Sequence, residues 1–316
     1  MKQGASNIAV KLIEVDDESA GQRIDNFLFT RLKGVPKSHI YRILRTGEVR
    51  RNGGRIQARD RLDSGDLIRI PPIRSTVHEL DGIPEAFVRA RLESRILYED
   101  SELLVLNKPA GMAVHGGSGI SFGVIEGLRE IRSEARFLEL VHRLDRDTSG
   151  CLLIAKKRSA LRTLHEQFRN DNVKKVYLAL LAGTWARTRC IVDAPLKRSV
   201  LQGGERIVKV AREGKPAVTE FRRLECYVGS TLVEARPVTG RTHQIRVHAQ
   251  SMGHPIVGDD RYGDEKVNRE SRRLGLKRLF LHALETVFLH PRTGEVLRVK
   301  APIDQDLSQF LKTSLP

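Results

Sequence analysis

The sequence predicts an α+β protein, a mixed, mostly antiparallel sheet domain preceded by a small unit of helices and a β-hairpin. Strand-like runs dominate from residue 93 onward, and helical patterns occur among them without regular β-α-β alternation. The first 80 residues show a separate pattern of two helical stripes followed by short strands. We therefore expect a small domain at 1–80, a linker at 81–92 and a large domain at 93–316.

The small domain is predicted to begin with two helices. The first apolar stripe ends at Gly34, and the second starts after Ser38, the expected N-cap, and ends at Gly47. The stripes consist of Ile24, Phe27, Leu28, Leu32 and of Ile40, Ile43, Leu44. Short strands joined by Gly-containing turns complete the unit, around Val49, Ile56 and Leu67–Ile70.

The large domain is predicted to be rich in strands. The expected strands are Ile96–Tyr98, Leu103–Asn107, Gly150–Ala155, Val176–Ala182, Thr231–Ala235, Leu279–Leu289 and Val296–Lys300. Helical patterns lie at 159–170 and 242–252. Neither GxGxxG nor GxxxxGK[ST] occurs, so we expect no nucleotide cofactor. No apolar run approaches the roughly 18 residues of a membrane span.

The charge of the chain predicts a polyanionic partner. The 55 Lys and Arg exceed the 39 Asp and Glu by 16, and residues 31–61 carry ten basic residues against two acidic ones. A second basic cluster lies at 266–278. Such clusters can be solvated surface, but the excess over the whole chain favours nucleic acid over a membrane. Arginines of the small domain are expected to form a phosphate-binding platform, namely Arg42, Arg45, Arg50, Arg51 and Arg55.

The three cysteines predict neither disulfides nor a zinc site. Cys151, Cys190 and Cys226 are odd in number and widely spaced. Since Cys151 and Cys226 stand in apolar stretches, we expect buried thiols. The N-terminus has no apolar signal-peptide core, which favours a cytoplasmic protein.

The polar string at 142–150, HRLDRDTSG, leads into a buried strand and contains the first candidate site. Asp145 could be a turn former or an ion-pair partner, as in most such loops. It could instead be a carboxylate that neighbouring arginines keep ionised, ready to act as a nucleophile or base. A third possibility pairs it with Asp147 as two catalytic acids.

Two further strings, at 174–180 and 240–248, contain candidate residues. Tyr177 in the first string is either a packing residue or a phenol that stacks on a base or moves a proton. If Thr239 or Thr242 caps a helix in the second string, His243 and Arg246 share one helix face. Arg246 then lies near the core and needs a carboxylate partner. His243 and His248 are too far apart on a helix to bind one metal ion, and either could be a core or surface residue.

Together, HRLDRDTSG at 142–150, GRTHQIRVH at 240–248, KVYLALLAG at 175–183 and LNKPAGMAVH at 106–115 resemble the RluA-type family of pseudouridine synthases. Residues 22–70 resemble the S-four-type RNA-binding domain that often precedes that catalytic domain. The resemblance implies an isomerase, without cofactor or metal, that breaks the C1′–N1 bond of a uridine in RNA and rejoins the base through C5. It also implies base flipping, since a stacked uridine must leave its helix first.

The resemblance assigns roles to residues of this chain. Asp145 matches the catalytic carboxylate, Tyr177 the active-site tyrosine and Arg246 the arginine paired with the aspartate. Arg143 matches the residue that fills the space of the flipped base. Further contacts to RNA are expected from Arg241 and His243 and from the small-domain residues Arg42, Arg45, Arg50 and Arg51.

The expected partner is large-subunit (23S) ribosomal RNA, in a ribosome precursor, bound by a monomer. Two alternatives stay open from the sequence. One is a non-catalytic RNA-binding or ribosome-assembly factor on the same fold, and the other is a pseudouridine synthase that acts on tRNA.

Overall fold

The chain divides into two compact units, Met1–Gly82 and Ile83–Pro316. The computed structural model describes residues 10–17, 19–32, 35–73, 91–116, 122–132, 134–135, 137–200 and 206–313. The linker expected at 81–92 lies outside the described residues, apart from Arg91 and Leu92.

The first unit packs two helices on a four-stranded antiparallel sheet with the order β1-β4-β2-β3. Its elements are β1 (Lys11–Glu14), α1 (Ile24–Arg31), α2 (Lys37–Arg45), β2 (Arg50–Arg51), β3 (Gly54–Arg55) and β4 (Leu67–Ile70). The stripes predicted for both helices are buried, apart from Leu32, which is half-buried against the same core. The second helix begins before Ser38, with Pro36 at the N-cap, so the expected cap was wrong. A proline is tolerated there because the first helical amides have no partner within the helix.

The second unit is built on a ten-stranded sheet, which confirms the predicted α+β class. Its elements are β5 (Ile96–Glu99), β6 (Leu103–Lys108), α3 (Val124–Ile131), β7 (Glu139–Leu140), β8 (Ser149–Ala155), α4 (Arg158–Arg169), β9 (Lys174–Ala182), β10 (Arg189–Asp193), β11 (Leu196–Val200), β12 (Arg206–Val210), β13 (Val218–Tyr227), β14 (Ser230–Pro237), α5 (Gln244–Ser251), α6 (Glu265–Arg273), β15 (Leu281–Leu289), β16 (Val296–Lys300) and α7 (Gln305–Thr313).

The strand order places the catalytic candidates around the centre of this sheet. The order is β10-β13-β14-β9-β15-β8-β6-β5, with β16 paired to β15 and β7 to β8. Among the described strands, only β15 and β8 pair in parallel. The register aligns Tyr177 of β9 with Ala283 of β15, which in turn aligns with Gly150 of β8. The loop that ends at β8 and the tyrosine of β9 therefore lie close together in space.

Both faces of the central strands are covered, which explains their continuous apolar runs. Leu152 and Ile154 of β8 belong to the same core cluster as α3 residues, whereas Leu153 and Ala155 belong to a cluster with α4 residues. A strand packed on both faces needs apolar residues at every position. Within the described residues, no helix is long and apolar enough to cross a membrane.

The cysteines differ from the expectation. Cys151 is buried, as predicted, but Cys190 is half-buried and Cys226 is exposed. Cys226 stands in β13, where apolar sequence neighbours do not ensure burial because successive side chains of a strand point to opposite faces. Burial raises the pKa of the Cys151 thiol to about 11.

The close approach of β8 and β15 depends on Gly150. This residue has φ +107°, and a Cβ at that position would lie 2.2 Å from the carbonyl oxygen of Ala283. Both the backbone conformation and the space therefore favour glycine.

We expect Gly150→Ala to destabilise the chain by clearly more than the about 1–2 kcal/mol of a strained φ alone, because the methyl group must also push β15 away. Gly294→Ala is the matched control, since Gly294 has φ +75° with no atom within 4 Å of the added Cβ. Urea denaturation of both variants measures the difference. Equal losses of stability in Gly150→Ala and Gly294→Ala would mean that β15 can move away from β8 at little energetic cost.

Candidate active site

The three candidate strings converge on one cavity of about 670 Å³ in the second unit. All of the site residues predicted for the large domain line it, namely Arg143, Asp145, Tyr177, Arg241, His243 and Arg246. They come from the loop before β8, from β9 and from the segment that begins α5. Since residues distant in sequence meet at one concave surface, this cavity is the natural candidate for the active site.

Asp145 lies in the cavity with its side chain 20% exposed. Its Oδ2 is 3.3 Å from Arg246 Nη1 and 3.8 Å from His243 Nε2. Asp147 is exposed and does not line the cavity. The two aspartates therefore do not form the acid pair that the sequence left open.

Arg246 makes its strongest contacts with a residue that the sequence did not single out. Its Nε and Nη2 donate to the two carboxylate oxygens of Asp259, at 2.7 Å and 2.8 Å. The contact to Asp145 is longer and uses only Nη1. The expected pairing of Arg246 with Asp145 is present as a single contact, whereas the two-point pair is made with Asp259.

Asp259 is fully buried and has a complete set of hydrogen-bond donors. The backbone amides of Arg261 and Tyr262 donate to its Oδ1, in addition to Arg246. Burial works against ionisation, but Arg246 and these amides outweigh it and lower the pKa of Asp259. The ionised pair in turn raises the pKa of Arg246 despite burial, so the guanidinium stays charged beside Asp145.

His243 approaches Asp145 from the residue just before α5. It has left-handed backbone angles, φ 54° and ψ 20°, and occupies the N-cap of α5, so neither Thr239 nor Thr242 caps the helix. Burial lowers the pKa of His243, which favours a neutral ring. The Val208 amide donates to the Tyr262 hydroxyl, which lies 2.8 Å from His243 Nδ1. If the hydroxyl donates to Nδ1, the proton of the neutral ring lies on Nε2, towards Asp145.

Tyr177 lines the cavity between small neighbours. Its cross-strand partners are the buried Ala235 on β14 and Ala283 on β15, and Tyr177 packs against the core clusters to which they belong. Burial, followed by the nearby charge of Asp145, raises the pKa of the phenol above its usual value. The hydroxyl therefore keeps its proton at neutral pH, which argues against a role as a base.

Two basic side chains, the buried Lys108 and the half-buried Arg278, hold the loop that contains Asp145. Lys108 donates to the carbonyl oxygens of Pro109, Met112 and Arg146 at 2.8–2.9 Å, and burial lowers its pKa to about 7. Further along the loop, Arg278 Nη2 donates to Ser149 Oγ at 2.6 Å. These two anchors fix the backbone that directly follows Asp145 and so help to position its carboxylate.

The start of α5 is held by two buried polar side chains. Gln244 donates to the Val218 carbonyl and to Thr219 Oγ1, and its own oxygen accepts from Thr239 Oγ1 and the Arg241 amide. His248 is also a buried structural residue, with its ring nitrogens 2.9 Å from Thr219 Oγ1 and 3.0 Å from the Ala194 carbonyl. These bonds fix the helix that presents Arg246. The Arg241 side chain donates to the Pro216 carbonyl.

The predicted basic platform belongs to the first unit. Arg42 and Arg45 are exposed on α2. Arg51 contacts Asp66 and Asp63, at 3.5 Å and 3.9 Å. Arg50 is paired across the sheet with both Arg55 and Arg69, so three arginines form one row on the sheet.

Sequence reasoning missed Asp259, Tyr262, Lys108, Arg278 and Arg69. Only Lys108 had a local signal, as a charge at the end of the apolar run Leu103–Leu106. Asp259 was one of many acidic residues that could have met Arg246. No group of three or more His, Cys, Asp or Glu side chains within the described ranges is arranged to hold a metal ion.

Comparison with known proteins assigns families to both parts of the chain. The model of the RNA pseudouridylate synthase family matches residues 102–251, and the S4 domain model matches residues 22–68. The ribosomal large subunit pseudouridine synthases C of Salmonella typhi and Escherichia coli K12 are each 59% identical over 307 residues, covering 96% of both chains. The enzyme of the same name from Pasteurella multocida is 57% identical over 306 residues, covering 96% of this chain and 94% of its own.

Two solved human structures are similar in fold. RNA Pseudouridylate Synthase Domain Containing 4 is matched with a TM-score of 0.60 and 27% identity, over 72% of this chain and 95% of its own. RNA Pseudouridylate Synthase Domain Containing 1 is matched with a TM-score of 0.56 and 29% identity, over 67% of this chain and 83% of its own.

His142, which precedes Arg143 in the cavity wall, must be neutral to make its observed contacts. Its Nε2 accepts from the Leu153 amide at 3.1 Å, and its ring stacks on Phe168 with centroids 4.9 Å apart. Burial, followed by the positive charge of Lys175, lowers the pKa of His142 from 6.5 to about 4.

We expect His142 to make the chain less stable as the pH falls from 6.5 towards 4, because only the unfolded chain takes up the proton in that range. The contribution of this one histidine lowers the free energy of unfolding by at most about 1.4 kcal/mol for each pH unit. Urea denaturation across this range compares the wild type with His142→Gln, whose oxygen can accept from the same amide, and with His165→Gln as control. Parallel curves for wild type and His142→Gln would contradict a neutral His142.

Proposed function

Because the chain belongs to the RNA pseudouridylate synthase family, we propose that it isomerises uridines of large-subunit ribosomal RNA to pseudouridine with Asp145 as the catalytic carboxylate. The observation that carries the assignment of Asp145 is its position in the cavity within reach of a charged arginine that another carboxylate fixes in place. Similarity to the ribosomal large subunit enzymes over nearly the whole chain supports the choice of RNA.

The chemistry requires a single ionised carboxylate beside the ribose. The C1′–N1 bond breaks, the base turns, C1′ bonds to C5, and the C5 proton is exchanged for one on N1, so the atoms balance. Positive character that develops at C1′ is stabilised by a negative charge in a sheltered site. Asp145 can serve either by attack on C1′ or by removal of a ribose proton, and both routes need it ionised.

The other acidic groups do not offer the second acid of a glycoside hydrolase. Asp259 is buried and bound to Arg246, so it is not available to protonate a leaving group. The remaining cavity carboxylate, Asp171, is exposed at the turn before β9. This arrangement favours retention of the detached base and its reattachment over hydrolysis.

Arg246 and Tyr177 shape the reaction site around Asp145. Arg246 orients the carboxylate, and its single contact at 3.3 Å leaves the carboxylate free to reach the substrate. Tyr177 presents a protonated phenol and an aromatic face over small neighbours, which suits contact with a planar base. His243, with its neutral ring, places Nε2 3.8 Å from Asp145 Oδ2 without adding charge.

RNA binding is assigned to the rest of the cavity and to the first unit. Arg143, exposed at the cavity mouth, fills the space of the flipped base, with Arg241 beside it. Arg42, Arg45, Arg50 and Arg51 belong to the S4-domain platform for phosphates. Because one chain supplies the whole site, a monomer suffices. We infer that it acts in the cytoplasm, on a ribosome precursor whose uridines are still accessible.

We expect Asp145→Asn to lower uridine conversion by about 10³-fold or more, because an amide can neither attack C1′ nor accept a ribose proton. RNA affinity should be nearly unchanged, since Arg246 is still held by Asp259. Tritium release from C5 of labelled uridine in large-subunit ribosomal RNA measures turnover, with Asp147→Asn as control. Native turnover of Asp145→Asn would remove Asp145 from the chemistry, and an inactive wild type would favour the non-catalytic alternative. Release from tRNA alone would favour the tRNA-directed one.

We expect the double variant Arg50→Gln/Arg55→Gln to bind RNA more weakly. The slope of the logarithm of the binding constant against the logarithm of the salt concentration should become shallower by about 0.7–0.9 for each phosphate that the variant no longer binds. Its stability should not fall, because like charges that face each other across strands are unfavourable. Filter binding at several salt concentrations tests this against Lys11→Gln/Arg59→Gln, two exposed cations outside the arginine row. Identical slopes for both double variants would argue against a platform at this row.

A further inference from the structure

The cavity extends beyond the residues that the reaction uses. Asp145, His243 and Arg246 line one part of it, whereas α4 and the start of β9 supply a second wall. We call this second wall the α4 wall and define it by His165, Phe168, Arg169, Asp171 and Lys175. A base that contacts Asp145 does not occupy the space beside the α4 wall, so another part of the RNA can bind there.

Three cations at or near the α4 wall form no close ion pair with a carboxylate of the described residues, although Asp171 lies near Lys175. Among the described residues, no carboxylate oxygen lies within 4 Å of the charged nitrogens of Lys175, Arg169 or Arg143. Most other cations near this cavity are engaged, as Arg246 is with Asp259 and Arg241 with the Pro216 carbonyl. Arg169 and Arg143 are exposed to the cavity and Lys175 is half-buried, so positive charge without a close carboxylate is concentrated here and the wall is suited to an anionic ligand.

Lys175 is held towards the cavity by its strand and by an aromatic ring. It stands two residues before Tyr177 on β9, so both side chains project from the same face of the sheet. Its Nζ lies 5.9 Å from the centre of the Phe168 ring, which itself stacks on His142. Burial lowers the pKa of Lys175, whereas the nearby Asp171 carboxylate raises it. The ammonium is therefore partly desolvated and lies near one exposed acid.

We propose that Lys175 and Arg169 bind a backbone phosphate next to the flipped uridine. The inference rests on the proposed function and adds a contact to it. Extrusion of a stacked base costs a few kcal/mol, and a phosphate held at the α4 wall keeps the extruded strand from returning to its helix. A phosphate contact carries no base information, so this wall positions the substrate without reading its sequence.

The test uses the full chain and large-subunit ribosomal RNA labelled with tritium at uridine C5. Lys175→Gln and Arg169→Gln should each raise KM about tenfold, the loss expected for a charge-assisted hydrogen bond, with little change in kcat. The salt dependence of kcat/KM should become shallower by about 0.7–0.9 in log–log slope for each variant. Lys175→Arg, which keeps the charge, should restore most of the KM.

Lys174→Gln and Arg162→Gln are the matched controls. Both residues are exposed cations of the same elements, and neither lines the cavity. They remove the same charge, so they measure the effect of overall charge alone.

Several results would overturn the inference. Equal effects of Lys174→Gln and Lys175→Gln on KM would mean that Lys175 acts only through the overall charge of the protein. A fall in kcat for Lys175→Gln, without change in KM or salt slope, would mean that Lys175 only supports Phe168 and Tyr177. Either result leaves the proposed function intact when the wild type releases tritium. A wild type that releases none overturns the proposed function and this inference with it.

Discussion

The Arg246 guanidinium lies between two carboxylates and joins the loop of Asp145 to the segment of Asp259. Nε and Nη2 are used in the two-point contact to Asp259, and Nη1 remains for Asp145 at 3.3 Å. The planar fork of arginine allows this division, whereas a lysine ammonium could not bind both carboxylates with the same geometry. The arginine is therefore fixed by one acid and orients the other.

The unequal strength of the two contacts suits the chemistry. A buried guanidinium with a complete partner costs little to keep charged, and it contacts Asp145 without enclosing it. The two carboxylates and one guanidinium carry a net charge of −1, and the neutral His243 ring does not cancel it. A negative site suits an oxocarbenium-like sugar, and under the proposed function the cations of the cavity wall and those of the first unit bind phosphates instead.

The backbone carries much of the precision of the site. Lys108 and Arg278 hold the chain that follows Asp145, Gln244 holds the start of α5, and Gly150 allows β8 to approach β15. Of these four residues, Gln244 lines the cavity and the other three do not. They explain why a loop of mostly polar residues can present a carboxylate at a defined position, since the loop leads into β8, a strand covered on both faces.

Local patterns in the sequence determined the α+β class, the two helices of the first unit, α4 and α5 of the second, the apolar central strands and the identity of Asp145, Tyr177 and Arg246 as candidates. The helices α3, α6 and α7 were not predicted. Periodicity and turn residues act over a few positions, so they can be read without the fold. The partner of Arg246 could not be found in this way, because Asp259 is one of 39 acidic residues and only packing selects it. The exposure of Cys226, the αL cap at His243 and the convergence of α4 with the catalytic loop were likewise decided by tertiary structure, because each depends on contacts between segments far apart in the chain.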